Sequence, residues 1–226
     1  MPTFISPNLI GLPVGSGGYQ PKGAVWFDGS NDYLSWTPSG AGSSRTVFTI
    51  SFWAKKGDVD QQETIISAGS GSGNWDRVNF TADEQIQYKE RVSSSNKGKA
   101  VTSAAFRDPS SWFHYHLKRN GTNAIEVTIN GVAETLSSST TPSNDAWWGY
   151  TVVQRIGARS YDAGQNFHGY LADVIVLDGV AEAATSFGEF GSDTGIWVPK
   201  DPSGLTFGSN GYWLDFADGN NIGKDV

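Results

Sequence analysis

Apolar and polar residues alternate along two neighbouring stretches in the middle of the chain, Phe113–Lys118 and Ile125–Ile129. Period-2 alternation is typical of β-strands that bury one face and leave the other in water. The dipeptide Asn120-Gly121 lies between the two stretches and Asn130-Gly131 follows the second. Asn-Gly favours tight turns because both residues tolerate positive φ. The pattern therefore predicts an antiparallel meander at the centre of an all-β domain.

Further short apolar runs predict the other strands of this domain. Their bounds are Ala24–Phe27, Tyr33–Trp36, Thr46–Ala54, Thr64–Ala68, Trp75–Thr81, Gln85–Arg91, Ala100–Arg107, Gln154–Ala158 and Phe167–Leu177. The polar sequences GSGSGN (residues 69–74) and SSSNKGK (residues 93–99) predict a flexible connection and a hairpin loop. With 28 Gly and many aromatic residues, the chain is typical of strands that are joined by short turns.

The two ends of the chain differ from the middle. Residues 1–22 contain four prolines and predict an extended N-terminal arm, which would dock through apolar side chains. Residues 191–226 have little periodicity outside 196–198 and 212–216 and predict an irregular C-terminal tail that packs on the sandwich or on a neighbour. Residues 23–190 then form one domain. The arm's apolar residues and one aromatic residue of the tail are the predicted interface: Phe4, Ile5, Leu9, Ile10 and Trp197.

Charge and composition exclude several classes of function. The net charge is −7 and the 16 basic residues are scattered along the sequence, which argues against a nucleic-acid partner or an anionic membrane surface. The nearest approach to a basic cluster, Lys55-Lys56, is interpreted as a solvated strand end. No cysteine is present, so disulfides and thiolate metal sites are excluded. No apolar stretch approaches the roughly 20 residues that cross a bilayer, and the N-terminus lacks the basic region of a signal peptide.

Several segments together resemble the LamG-like, concanavalin A-like lectin/glucanase jelly-roll superfamily. They are VWFDGSNDYL (25–34), FTISFW (48–53), WFH (112–114), VTING (127–131), IGA (156–158) and FHGYLADV (167–174). Their order matches the order in that superfamily. The resemblance implies a two-sheet antiparallel β-sandwich, whose edges the N-terminal arm and the C-terminal tail would cover.

A narrower resemblance covers the second half of the chain. The sequences RDPSSW (107–112), GYLADVIVLDG (169–179), SDTGIWVPK (192–200) and NGYWLDF (210–216) are similar to a branch found in phage and marine-virus structural proteins. Because the chain starts at its own Met1 and stops after GKDV, we expect a module made as a stand-alone piece. This resemblance implies a virion protein that is assembled in the host cytoplasm and exposed on the released particle.

Catalysis requires two carboxylates on one strand face, one as acid and one as nucleophile or base. The superfamily's hydrolases carry a Glu-x-Asp-x-x-Glu run, and this sequence has none. We interpret Asp83-Glu84, Glu126 and Asp173 as turn or surface carboxylates. The chain is therefore predicted not to be an enzyme, and no catalytic residue is assigned.

Metal binding has two candidate sites, each with a plainer alternative. His114 and His116 share one strand face at i, i+2, but the sequence supplies no third ligand, and His114 matches a structural histidine of the superfamily. Asp28, Asn31 and Asp32 form an oxygen-rich turn that could hold calcium, although Asx hydrogen bonds explain the same residues. We therefore predict no cofactor, with calcium as the open alternative.

Sugar binding in this superfamily uses aromatic and amide side chains of exposed loops. The candidates in this sequence lie near Asn144, Asp145 and Asp162 and are Trp147, Trp148, Tyr150, Tyr161 and Asn166. Two exposed indoles could stack on sugar rings, while the alternative is that they close the end of the sandwich or enter a subunit interface.

The leading prediction is a non-enzymatic phage virion protein, either a capsid decoration (cement) protein or a tail- or fibre-associated subunit. It would form a homo-oligomer and contact other virion proteins such as the major capsid or tail protein. The alternative is a carbohydrate-binding module that attaches to host surface glycans.

Overall fold

The computed structural model describes residues 1–5, 11, 14, 18–123, 125–143 and 145–226. Nearly all regular structure in these residues is β-strand. The strands are β1 (Thr3–Ile5), β2 (Ala24–Asp28), β3 (Leu34–Trp36), β4 (Val47–Lys56), β5 (Glu63–Gly71), β6 (Asn74–Phe80), β7 (Gln85–Val92), β8 (Ser95–Ala105), β9 (Phe113–Asn120), β10 (Glu126–Ile129), β11 (Val132–Ala133), β12 (Leu136–Thr140), β13 (Val153–Ile156), β14 (His168–Asp178), β15 (Gly188–Phe190), β16 (Trp197–Pro199) and β17 (Tyr212–Leu214). Two short 3-10 turns, Trp147–Gly149 and Ala184–Ser186, complete the described elements.

The strands form two large antiparallel sheets that pack face to face. Sheet A has the order β1-β2-β14-β4-β9-β10-β11, and β17 also pairs with β14. Sheet B has the order β12-β8-β7-β6-β5-β13-β3, and β15 pairs with β16 in a separate hairpin. The all-β, two-sheet antiparallel sandwich predicted from the sequence is confirmed.

The predicted meander is present, but it lies at the edge of sheet A. β10 pairs with β9 on one side and with β11 on the other, and the turn between β10 and β11 is Asn130-Gly131. Both turn residues have positive φ, 48° and 77°, as a two-residue hairpin turn requires. The predicted position at the centre is wrong, because alternation specifies which face is buried and not a strand's place in its sheet.

The two predicted polar loops of sheet B are tight turns. β5 ends at Gly71 and β6 begins at Asn74, so only two residues separate them. Only Ser93 and Ser94, both at positive φ, separate β7 from β8. The turns support each other: the Asn74 side chain accepts the Ser93 N–H at 2.8 Å, and the Ser94 N–H donates to the Gly73 carbonyl at 2.9 Å. The polar residues of these stretches therefore lengthen the strands instead of forming flexible loops.

The main core lies between the two sheets. It is built from the inward-facing residues of both sheets, with Phe52 stacked on Tyr115 at 4.9 Å. A buried ion pair crosses this core: the Arg119 guanidinium lies 2.6 Å from a Glu90 carboxylate oxygen, which also accepts the Tyr88 hydroxyl at 2.8 Å. Asp76 lies beside them, and burial, followed by the charge of Glu90, raises its pKa well above the ordinary value.

The outer face of sheet A is covered by the chain after β14. Trp197 packs with Trp53 in one small apolar cluster on this face, and Phe187 packs with Trp213 in another. His114 and His116, which the alternation assigns to a solvated face, are buried beneath these residues. That assignment is wrong because the alternation within one strand does not show that residues 180–216 cover its outer face.

Asp173 is buried where the end of the chain joins sheet A. Its two carboxylate oxygens accept the Trp213 indole N–H at 3.0 Å and the Tyr19 hydroxyl at 2.9 Å. Burial raises the pKa of Asp173 to about 7, although both hydrogen bonds act in the opposite direction. The prediction of a turn or surface carboxylate is therefore wrong for Asp173, which fastens the N-terminal and C-terminal segments to the sheet.

A second buried group of charges contradicts two further predictions. Lys56, expected at a solvated strand end, is buried against Glu84, and its ammonium lies 3.6 Å from Glu63. Glu84, expected on a turn surface, is fully buried and also accepts the Asp60 backbone N–H. Lys56 and Glu84 therefore compensate each other's charge inside the protein, as buried ions require.

Candidate functional site

Because sheet A is covered on both faces, the outer face of sheet B and the loops around it form the open side of the sandwich. Two of the predicted sugar-binding residues meet at the end of this side. The rings of Trp147 and Tyr150 lie 5.0 Å apart at 37°, and both side chains are partly exposed. With Val92, Ser143 and Asp145 they line an open groove of about 360 Å³, which we call the aromatic groove.

Hydrogen bonds hold the groove in shape. The Trp147 indole N–H donates to the Arg91 carbonyl at 3.0 Å, and its backbone N–H donates to the buried Asp76. The Tyr150 hydroxyl donates to Asp145 at 3.2 Å, and the Arg45 guanidinium lies 3.9 Å from the centre of the Tyr150 ring. The groove thus presents aromatic surface next to a carboxylate, the combination that suits the C–H faces and hydroxyl groups of a sugar.

Trp148 does not join Trp147 at the surface. Its side chain is 4% exposed and belongs to the core between the sheets. Adjacent residues of the 3-10 turn point in different directions, so the pair of exposed indoles expected from the sequence does not form. Trp148 instead closes the end of the sandwich, which is the alternative that the sequence left open, and Asn144 lies outside the described residues.

Tyr161 lies on a different surface, the outer face of sheet B. It stacks at 6.4 Å on Trp75, whose side chain is only 2% exposed. Three cations cover this indole: Arg77 lies 4.4 Å from the ring centre, and Lys89 and Arg91 lie 5.9 Å from it. The electron-rich face of the indole stabilises such an arrangement.

Strand register extends these cations into a row. Lys99 pairs with Lys89, Lys89 with Arg77, Arg77 with Ser67, and Ser67 with Arg155. Directly opposed residues point to the same face, so these residues share the outer face of sheet B. Between Arg77 and Arg155 this face is covered, because Ser67 is 1% exposed and donates its hydroxyl to the Ala158 carbonyl at 2.8 Å. We call Arg77, Lys89, Arg91, Lys99 and Arg155 the basic face. The sequence does not reveal this face, because its residues are far apart along the chain.

Asn166 lies in a third place, a polar cleft at the rim of the sandwich. The cleft has a volume of about 460 Å³, and Asp28, Asp58, Glu63 and His168 also line it. Burial raises the pKa of Glu63 to about 7, with the neighbouring charge of Glu84 acting in the same direction and that of Lys56 opposing both.

Two of the three residues of the proposed calcium turn have partners within the protein. Asp28 accepts the backbone N–H groups of Ser30 and Asn31 at 2.8 and 3.4 Å, which is the Asx-turn alternative. Asp32 is buried and contacts the amino group of Met1. Across the part of the chain that the structure describes, no three His, Cys, Asp or Glu side chains are grouped to hold a metal ion.

His114 and His116 are engaged within the protein. Trp197 donates its indole N–H to His114 Nδ1 at 3.1 Å, so the neutral ring carries its proton on Nε2, 2.8 Å from the Ser51 hydroxyl. His116 Nε2 lies 3.0 Å from the Glu182 carbonyl. Burial lowers the pKa of both rings, that of His116 to about 4 and that of His114 well below its ordinary range. The two side chains are structural contacts between sheet A and its cover.

Of the predicted interface residues, Trp197 is 4% exposed and packs inside the chain. Phe4 and Ile5 belong to β1, which pairs with β2 at the edge of sheet A. Leu9 and Ile10 lie outside the described residues.

Exposed apolar side chains lie beside Trp197. Phe190 is 53% exposed and packs edge-on against the indole at 5.0 Å, and Ile196 is 61% exposed. Val132, which is 58% exposed, follows Gly131, the residue on which the indole rests. We call Val132, Phe190 and Ile196 the apolar patch.

In the described part of the chain, no helix has the length and hydropathy to span a membrane.

A family model described as the concanavalin A-like lectin/glucanases superfamily matches residues 28–185. Among solved structures, domain 4 of the extracellular arabinanase AbnA from Geobacillus stearothermophilus, in complex with arabinotriose, is 16% identical with a TM-score of 0.55, over 71% of this chain and 72% of that one. A heptameric pentraxin from Limulus polyphemus is 16% identical with a TM-score of 0.52, over 71% and 77%. Domains LG4-5 of the mouse laminin α1 chain are 12% identical with a TM-score of 0.51, over 70% and 42%.

At these identities the likeness to solved structures shows the fold alone. No curated protein matches the chain. The jelly roll predicted from the motifs is confirmed by the family match and the sheet order. The narrower likeness to phage and marine-virus structural proteins stays a prediction.

Proposed function

The chain belongs to the concanavalin A-like lectin/glucanases superfamily, and from this premise we propose that it is a non-catalytic carbohydrate-binding domain. The observation that carries the proposal is the aromatic groove, where Trp147 and Tyr150 stand beside Asp145 on the open side of the sandwich. An apolar ring face next to a few polar groups is the usual composition of a site for a small polar ligand.

Two further observations support this function. The solved arabinanase domain with the same fold was crystallised with a sugar, arabinotriose. Two buried carboxylates among the described residues are engaged inside the protein: Glu84 contacts Lys56, and Glu90 is held by Arg119 and Tyr88. A carboxylate held in this way cannot reach a glycosidic bond at the surface.

Replacing Trp147 or Tyr150 by alanine is expected to weaken glycan binding at least about tenfold, or roughly 1.4 kcal/mol, because each change removes a stacking surface. The measurement is a glycan array followed by titration calorimetry with the glycan that binds best. Tyr170→Ala is the matched control, because it removes a partly exposed aromatic ring from sheet A. Wild-type protein that binds no glycan, or groove variants that bind as tightly as the control, would contradict the proposal.

A second candidate function is that of a phage virion subunit, assembled in the host cytoplasm as a capsid decoration protein or a tail- or fibre-associated protein. The motifs in residues 107–112, 169–179, 192–200 and 210–216 support it. The apolar patch supports it as well, because exposed apolar side chains that cluster on a surface favour association with another subunit. The contact surface is then the patch beside Trp197 and not the indole itself.

If the patch is a subunit contact, the purified protein should be a discrete oligomer, and Phe190→Ser combined with Ile196→Ser should convert it to a monomer. The reason is that both side chains are more than half exposed in the single chain. Light scattering at two concentrations measures the mass. Val226→Ser changes an equally exposed residue elsewhere and should leave the mass unchanged. A wild-type monomer at both concentrations would refute this contact.

A further inference from the structure

We propose that the basic face binds an acidic polysaccharide, with the carboxylates of successive uronic acid residues seated along the row Lys99, Lys89 and Arg77. This site is distinct from the aromatic groove. The inference rests on the proposed function only because its ligand is also a glycan.

The geometry of the row defines how such a ligand would lie. Neighbouring strands in a sheet are about 4.8 Å apart, so the cations of Lys99, Lys89 and Arg77 repeat at a distance comparable with the length of one sugar residue. Ser67 is 1% exposed and separates Arg155 from these three cations. A linear polysaccharide that runs across β8, β7 and β6 can therefore place one carboxylate near each of the three cations.

The charge of the row is not compensated by the protein. Among the described residues, no carboxylate lies within ion-pair distance of any basic-face cation, and the loop carboxylate of Asp162 is already bound by Arg159 at 2.7 Å. Burial lowers the pKa of Lys89, and the charges of Arg77, Arg91 and Lys99 lower it further, which reports their mutual repulsion. A chain with a net charge of −7 thus carries a local positive surface that an anion would stabilise.

The row is also built into the sheet and is not a set of mobile surface lysines. Arg77 is 7% exposed, is held by Gln165 at 2.7 Å and rests on the indole of Trp75, while its Nε has no partner. Arg77, a donor that is fixed in this way, loses little conformational entropy when it binds.

The same surface is poorly suited to single-stranded nucleic acid. Recognition of unpaired bases relies on exposed aromatic faces, and the indole at the centre of this surface is covered by three cations. The row offers charge at regular spacing, and the indole of Trp75 beside it is only 2% exposed. A regularly charged polysaccharide matches that arrangement better.

The test measures binding of polygalacturonate and of the fully methyl-esterified chain, which has the same backbone without the charges. Wild-type protein should bind polygalacturonate at low salt and lose affinity as salt rises, because salt screens partly exposed charges. Lys89→Gln combined with Lys99→Gln should weaken binding at least tenfold. Lys200→Gln combined with Lys224→Gln is the control, because it changes the net charge equally with two exposed lysines elsewhere. Thermal unfolding of both double variants checks that they fold.

Three results would overturn the inference: equal binding of the esterified chain, equal loss in the two double variants, or tighter binding of a single-stranded oligonucleotide that depends on Lys89 and Lys99. The aromatic groove is tested separately by Trp147→Ala. If that variant keeps polygalacturonate binding and loses binding of a neutral glycan, both sites stand. If wild-type protein binds neutral glycans and ignores polygalacturonate, only the basic face is refuted.

Discussion

Replacing Arg119 by methionine is expected to lower the free energy of unfolding by about 3–5 kcal/mol, because it leaves a buried carboxylate without its counter-charge. Arg119 and Glu90 are both almost fully buried, and a second carboxylate, that of Asp76, lies beside them. A charge in the apolar space between two sheets cannot be solvated without opening the sandwich. The loss should shrink in acid, where protonated Glu90 needs no partner.

Urea unfolding at several pH values measures this effect. Lys118→Met is the matched control, because Lys118 is the neighbour of Arg119 on the same strand and is paired with the exposed Glu126, so its replacement should cost at most about 1 kcal/mol. Arg119→Met combined with Glu90→Gln should recover part of the loss, since both charges are then removed. A cost for Arg119→Met no greater than that of Lys118→Met would show that the buried pair does not stabilise the fold.

The second large effect is expected at Trp197, where replacement by alanine should cost about 3–5 kcal/mol. The indole is 4% exposed, packs over His114 and Gly131, and donates the hydrogen bond that His114 Nδ1 accepts. Its removal opens a cavity on the outer face of sheet A and leaves a buried ring nitrogen without a donor. The pKa of His114 should then rise toward its ordinary value, because water reaches the ring.

Equilibrium unfolding and a histidine NMR titration report the two consequences separately. Ile196→Ala is the control, since the neighbouring side chain is 61% exposed and its loss should change stability by less than about 0.5 kcal/mol. If Trp197→Ala is as mild as this control, the segment after β14 does not act as a cover for sheet A.

Period-2 alternation predicted the strands well, and it predicted the inward faces of both sheets. It failed where a face is covered by a remote part of the chain. His114, His116 and Asp173 lie on strands whose pattern suggests water, but residues 180–216 and Tyr19 bury them. Lys56 was misplaced for the same reason, since its partners Glu63 and Glu84 lie on other segments.

The candidate sites were predictable only in part. Trp147 and Tyr150 are close in sequence and were predicted as parts of one site, but that prediction also included Trp148, Tyr161 and Asn166, which lie elsewhere. The basic face could not be found in this way. Its members come from β6, β7, β8 and β13, and only the register of those strands places them on one face. Scattered cations in a sequence can therefore form one surface.

The two sheets also differ in how soon during synthesis they can form. Strands β5 to β8 of sheet B are consecutive hairpins, so each can pair with the strand made just before it. Sheet A depends on β14, which pairs with β4 on one edge and with β2 and β17 on the other. Pairings between distant segments form slowly because the loops that join them must close first. The strands β6–β8, which carry most of the basic face, can thus pair early, while the half that buries His114 and Asp173 closes only when the last strand has been made.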